Sequence, residues 1–203
     1  MIFTRAPVPG VVKTRLHTCM GPDEAARLHQ RLTERTLMTA CGSGLAPVEL
    51  WCSPDCSHPF FTECDQKYYD VELHPQQGDD LGERMASAFE SALERSQCAL
   101  VIGTDCPSLT ADILDEALSS LYKGLDAVLG PASDGGYVLL GMRMNEQALF
   151  HNIPWGTKEV LDITRQRMSE QNWSWHETKI LWDVDRPEDY HRLMKERLLT
   201  ETA

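Results

Sequence analysis

The sequence predicts an α/β fold with a mostly parallel central sheet flanked by helices. Three observations carry that expectation. Strand-like apolar runs alternate with stretches of helical period, mostly at crossover-length spacing. The apolar run over residues 98–103 ends at a lone carboxylate, Asp105, just before a helix start at Thr110. A second strand-like stretch, residues 173–182, also ends in acids, Asp183-Val184-Asp185. In open α/β sheets ligands gather outside the carboxyl ends of the strands, so these acids are expected on one edge.

At 203 residues the chain is expected to form one domain, residues 1–203. A net charge of −12 excludes a general binder of nucleic-acid polymers, which needs a basic face. The charge is uneven. Residues 1–22 carry Arg5, Lys13 and Arg15 and no acid, an island suited to a small phosphorylated ligand. No apolar run approaches the roughly 20 residues of a membrane span, and Met1-Ile-Phe-Thr-Arg5 lacks the apolar core of a signal peptide. A cytoplasmic location is expected. The seven cysteines suggest free thiols rather than a disulfide framework, and Cys52, Cys56 and Cys64 lack a usual zinc spacing.

Taken in order, residues 2–5 read as a short first strand. Ala6-Pro-Val-Pro-Gly10-Val-Val-Lys13-Thr-Arg15-Leu16 is a stiff, glycine-turned loop with two cations. It reads either as a solvated basic turn or as a phosphate cradle in which Gly10 permits close backbone approach, Lys13 gives a point charge and Arg15 a forked donor. Pro22 opens a helix to about residue 41, with Ala25, Leu28, Leu32 and Leu37 on its apolar face. Strands are expected over 47–52 and 68–73, with loop or short helix over 53–65. Gly78-Asp-Asp-Leu-Gly-Glu83-Arg84 leads into a helix with Met85, Phe89 and Ala92 on one side; periodicity alone leaves Glu83 and Arg84 solvated.

After Asp105, which reads either as a turn former or as a metal ligand, Thr110 caps a helix to about residue 122. Strands over 126–130 and 138–142 flank the tight turn Pro131-Ala-Ser-Asp134-Gly135-Gly136-Tyr137, a hairpin, a close approach to a ligand, or both. Trp155 stacks on a substrate or fills a core edge, and Thr157 is expected to cap the next helix. Pro187 starts the last helix. Two separated strand-end carboxylates and a basic glycine loop together suit a divalent cation and a polyphosphate.

Six stretches in this order, Ala6-Pro-Val-Pro-Gly-Val-Val-Lys-Thr-Arg-Leu16, Asp80-Leu-Gly-Glu-Arg-Met85, Ile102-Gly-Thr-Asp-Cys-Pro107, Gly130-Pro-Ala-Ser-Asp-Gly-Gly-Tyr137, Pro154-Trp155 and Asp183-Val-Asp-Arg-Pro-Glu-Asp189, resemble the signature series of a glycosyltransferase-like family of GT-A fold. That family is also known as the radical-SAM/selenodomain-associated transferase type and is linked by name to arsenosugar biosynthesis. It lies within the nucleotide-diphospho-sugar transferase superfamily. The Lys13 loop and the Asp134-Gly-Gly turn are also similar to those of 2-phospholactate guanylyltransferase.

The resemblance implies a single GT-A domain and a transferase taking a nucleotide-activated sugar and a small-molecule acceptor. Gly10, Lys13 and Arg15 would hold nucleotide phosphates, with Lys13 also catalytic. Asp105 would be the principal ligand of Mg2+ or Mn2+, Asp185 the second, with Asp183 beside it. Asp134 would be a base towards the acceptor, in a pocket bordered by Gly135, Gly136, Trp155, Glu83 and Arg84. Thr104 and Cys106 flank Asp105, so the superfamily's Asp-x-Asp is reduced to one acid. That suits equally a nucleotidyltransferase moving a nucleotidyl group from an NTP to a phosphorylated acceptor. A non-catalytic nucleotide-binding module is the third reading.

Overall fold

The computed structural model describes residues 1–68 and 71–199. Its strands are β1 (Ile2–Arg5), β2 (Val48–Ser53), β3 (Val71–Pro75), β4 (Ala99–Gly103), β5 (Ala127–Pro131), β6 (Tyr137–Met142) and β7 (Trp175–Glu177). Its helices are α1 (Pro22–Ser43), α2 (Pro59–Lys67), α3 (Leu81–Leu93), α4 (Ala111–Tyr122), α5 (Val160–Glu170) and α6 (Pro187–Glu196). The fold is α/β with mostly parallel strands, as expected. No helix among the described residues is long and apolar enough to cross a membrane.

The chain divides into two compact units, each assembled from separate stretches of sequence. The first holds Ile2–Pro75, Gly103–Ala111 and the C-terminal stretch from Trp182. In it β3, β2 and β1 lie side by side in parallel. Pro22 begins α1 at its first turn, where a missing N–H costs nothing, and Gly44 ends it in the left-handed conformation. The buried face of α1 carries Ala25, Leu28 and Leu32. These pack in one apolar cluster with Leu16 and Met20 from the basic loop and Trp182, Val184 and Leu193 from the C-terminal stretch. This cluster anchors the loop that bears Lys13 to the chain that bears Asp183 and Asp185.

The second unit holds Gln76–Ile102 and Asp112–Leu181. Here β6 runs antiparallel to both β4 and β5, and β7 runs parallel to β5. Residues 131–137 do form the expected hairpin turn between β5 and β6. Apolar residues fill this unit's interior; Phe89, Leu129, Leu139, Leu140 and Met142 are fully buried.

Three local expectations change, and two details are added. The strand expected over 68–73 begins at Val71, Tyr68 being the C-cap of α2, and residues 69 and 70 lie outside the described residues. The loop-or-helix stretch after Ser53 contains α2, started by Pro59 and capped by the ring of His58. The last strand, expected over 173–182, is three residues long, followed by an isolated bridge of Leu181 to Ala132. The register of β5 against β6 shifts at Gly130/Pro131 before the ladder closes on the pair Pro131–Tyr137. Thr157 makes a turn rather than a cap: its hydroxyl donates to the Pro154 carbonyl, and α5 starts later, at Val160.

Candidate functional site

In the first unit the basic loop turns at Gly10, whose φ of 80° is a left-handed value that a side chain would oppose. The chain then enters a short 3₁₀ turn at Thr14–Thr18 through Lys13, itself left-handed at φ 52°. A lysine is seldom found there, and the surroundings must hold it. They do: its side chain is 3% exposed, and Nζ lies 2.7 Å from Asp105 Oδ1 and donates to the Val184 carbonyl at 2.5 Å. Val184 in turn donates its backbone N–H to the Asp105 carbonyl at 2.8 Å. One backbone residue thus ties the lysine and the aspartate together.

Asp105 stands just past β4 with His29 of α1 on its other side, Nδ1 at 3.6 Å from Oδ1. The opposite ring nitrogen of His29 contacts the Arg5 carbonyl at 3.0 Å and the Thr4 hydroxyl at 3.4 Å, which fixes the ring. Desolvation pushes the Asp105 carboxyl up, but the Lys13 ammonium and the His29 ring together outweigh it and hold the group well below the usual carboxylate range. Oδ1 is enclosed, while the Asp105 side chain as a whole is 46% exposed, so its exposure falls on the side of Oδ2. Asp185 pairs with Arg15. Its position follows from the start of α6, where Asp189 accepts hydrogen bonds from the backbone N–H of Asp185 and Arg186. Asp183 is half-buried beside Val184.

Carboxylate oxygens are the donors a hard divalent cation takes, and in Asp105 one oxygen lies against Lys13 while the side chain as a whole is partly exposed. Lys13 thus pairs with Asp105 and Arg15 with Asp185 in the same unit. His29 was missed. Its signal was a polar ring at the buried face of α1 among Ala25, Leu28 and Leu32, a position that calls for a partner.

The remaining candidates belong to the second unit. The exposed Asp134 accepts from the Gly136 N–H at 2.9 Å, so its carboxylate shapes the turn. Gly135 has φ 91°, and a Cβ there would meet Lys158 Cα at 2.7 Å; its carbonyl accepts from Leu161 N–H at 3.0 Å, at the start of α5. Trp155 stands edge-on to Tyr137, ring centroids 6.5 Å apart, and its Nε1 is enclosed without a hydrogen-bond partner against Gly82. Burial pushes the Tyr137 phenol up. Glu83 accepts from the Asp79 N–H at 2.7 Å, and Arg84 donates to the Gly78 carbonyl at 2.9 Å. Both thus brace the loop before α3, where Asp80 caps the helix.

Residues 36–157 match the family described as "Uncharacterized protein conserved in bacteria (DUF2064)", and the chain belongs to that family. Among solved structures it is similar to a protein of Desulfovibrio desulfuricans G20 provisionally named a nucleotide-diphospho-sugar transferase. The two are 29% identical with a TM-score of 0.86, over 99% of this chain and 87% of that one. It is also similar to CMP:2-keto-3-deoxy-manno-octonic acid synthetase complexed with CTP, at 13% identity, TM-score 0.57 and 97% of each chain. A third likeness is to Rv0371C of Mycobacterium tuberculosis H37Rv in complex with manganese, at 14% identity, TM-score 0.56 and 96% of each chain. No protein of curated function matches. The fold is that of the nucleotide-diphospho-sugar transferases.

Proposed function

We propose that this chain is a divalent-metal-dependent transferase that uses a nucleotide-diphosphate sugar as donor. The observation that carries the reading is the buried Lys13 locked to Asp105 at the end of β4, with Arg15 and Asp185 alongside. Lys13 and Arg15 bind the donor diphosphate. Asp105, through its outward oxygen, and Asp185, with Asp183 beside it, would hold Mg2+ or Mn2+. When bound, that ion neutralises charge on the diphosphate leaving group. An acceptor oxygen attacks the anomeric carbon, the bond from that carbon to the phosphate oxygen breaks, and the nucleoside diphosphate leaves. Lys13 stabilises the charge growing on the leaving group, an electrostatic contribution made stronger because its ammonium is shielded from water. Asp134 accepts the acceptor's proton in this scheme, after the turn it shapes releases its carboxylate. Gly135, Gly136 and Trp155 border the acceptor or sugar pocket, with Glu83 and Arg84 holding the loop before α3. Neither unit is a continuous stretch of sequence, which supports residues 1–203 acting as a single domain.

One observation favours a second reading, nucleotidyl transfer from an NTP. Asp105 is a single acid between Thr104 and Cys106. There a phosphorylated acceptor attacks the α-phosphorus, the bond to the bridging oxygen breaks and pyrophosphate leaves, with Lys13 and Arg15 serving the same charges. A thermal-shift panel of nucleotide sugars and NTPs, each with Mg2+, Mn2+ or chelator, tests the proposal. A metal-dependent rise with one nucleotide sugar and no pyrophosphate release supports glycosyl transfer. A rise confined to an NTP, with pyrophosphate released, supports the second reading. No rise with any ligand overturns both.

A further inference from the structure

A second group of charged side chains lies on the β2–β3 ladder and shares no residue with the Lys13–Asp105 cluster. The parallel register sets Glu49 opposite Glu72 and Trp51 opposite His74. Since alternate residues of a strand share a face, these four form a two-by-two block on one side of the ladder. Two carboxylates directly opposite each other repel, and β3 is the outermost strand of this ladder. One oxygen each of Glu49 and Glu72 and a ring nitrogen of His74 lie within 4.8 Å of one another.

We propose that Glu49, Glu72 and His74 form a binding site for a divalent transition-metal ion of the Zn2+ and Co2+ type. His74 Nε2 is enclosed and has no hydrogen-bond partner, although Glu72 Oε2 is only 3.3 Å away. The two atoms are close but not aligned for a hydrogen bond. Their separation is that of neighbouring ligands around an ion with bonds of about 2.1 Å. Bringing three atoms from within 4.8 Å to that distance takes a shift of under about 1 Å each. Glu72, 71% exposed, moves readily. The other two ligands are already oriented by one buried side chain. Trp51 stacks on the His74 ring, centroids 4.9 Å apart and planes 17° from parallel, and its Nε1 donates to Glu49 Oε2 at 2.9 Å. Such outer partners fix ligand geometry in metal sites. An imidazole with two carboxylates selects zinc-like ions over Mg2+, which prefers oxygen. The ion would relieve the Glu49–Glu72 repulsion and clamp β3 to β2.

The test is calorimetric titration of Zn2+ into the chelator-stripped full chain, with histidine ring resonances followed by NMR. The expected result is one Zn2+ per chain that shifts the His74 ring signals, persists in Asp105→Asn, and weakens at least about tenfold in Glu72→Gln and in His74→Gln. Glu72→Gln alters an exposed side chain and keeps the fold, so it decides the matter should His74→Gln disturb the stacking. Absence of binding overturns the proposal. So does binding indifferent to Glu72→Gln and His74→Gln, or binding that disappears in Asp105→Asn while surviving Glu72→Gln.

Discussion

Lys13 combines three properties that elsewhere exclude one another: a left-handed backbone, nearly complete burial and a full charge. Each carries a cost, and the Asp105 carboxylate and Val184 carbonyl offset them. Replacing Lys13 by Met keeps the apolar stem but removes the charge facing Asp105. Turnover is expected to fall by about 100- to 1,000-fold, the loss seen when one preorganised donor to developing charge is removed. Arg15, 58% exposed, is expected to act mainly on binding, so Arg15→Ala should raise KM more than it lowers kcat. Steady-state kinetics with the donor found by thermal shift separate the two. At Gly135 the effect is on stability. Gly135→Ala combines a left-handed φ with a close approach to Lys158 and should cost about 2–3 kcal/mol, read by chemical denaturation. The residue types of the cluster were legible because glycine, lysine and arginine after a first strand make a basic island in an acidic chain. His29 was not, because nothing in its helix indicates that it meets a carboxylate delivered from another strand.

Two helix starts were legible, because proline at the first turn of α1 and α6 is a local signal. The end of β7 was not, since it depends on what the neighbouring strand can offer, and past Leu129 β5 soon reaches Pro131, which has no N–H to donate. Besides its pairing with β5, β7 is held by a fork. Arg165 of α5 donates through Nε and Nη2 to the two carboxylate oxygens of Glu177, at 2.8 and 2.7 Å. That pairing holds the Glu177 carboxyl below its ordinary value. A depressed carboxylate pKa means the stabilisation is present above the ordinary glutamate value, about 4.3. It is lost as pH falls through the lower folded-state value. Glu177→Gln should therefore cost up to about 1 kcal/mol at pH 7, the pair being partly solvent-screened. Relative to the native chain the difference should shrink to nothing in acid below both values. Denaturant titrations at a series of pH values measure it, and a difference independent of pH would contradict the assignment.

At the scale of the whole molecule the decisive fact is that the Lys13–Asp105–Asp185 cluster draws on three stretches far apart in sequence. The basic loop, the turn after β4 and the segment before α6 all belong to one compact unit. Sequence motifs named the three stretches, but only tertiary packing says what joins them, and that joint is Val184. Its side chain is fully buried in the cluster with Leu16, Leu28 and Trp182, while its backbone N–H and carbonyl serve Asp105 and Lys13. Core and site are thus coupled through one residue that carries no functional group of its own. Val184→Ala leaves both backbone hydrogen bonds chemically possible but removes two methyl groups from a close-packed cluster. It should cost roughly 2 kcal/mol by thermal denaturation. If the coupling is real, a second loss follows. The chain around residue 184 can settle into the space left behind, Lys13 and Asp105 drift from their 2.7 Å pairing, and metal-dependent nucleotide affinity falls severalfold. Met168→Ala in the second unit, at an equally buried position, serves as the comparison. It should lower stability by a similar or larger amount, roughly 2–4 kcal/mol, and leave nucleotide affinity unchanged. Equal affinity losses in both variants would mean that general destabilisation, not the Val184 joint, links core to site.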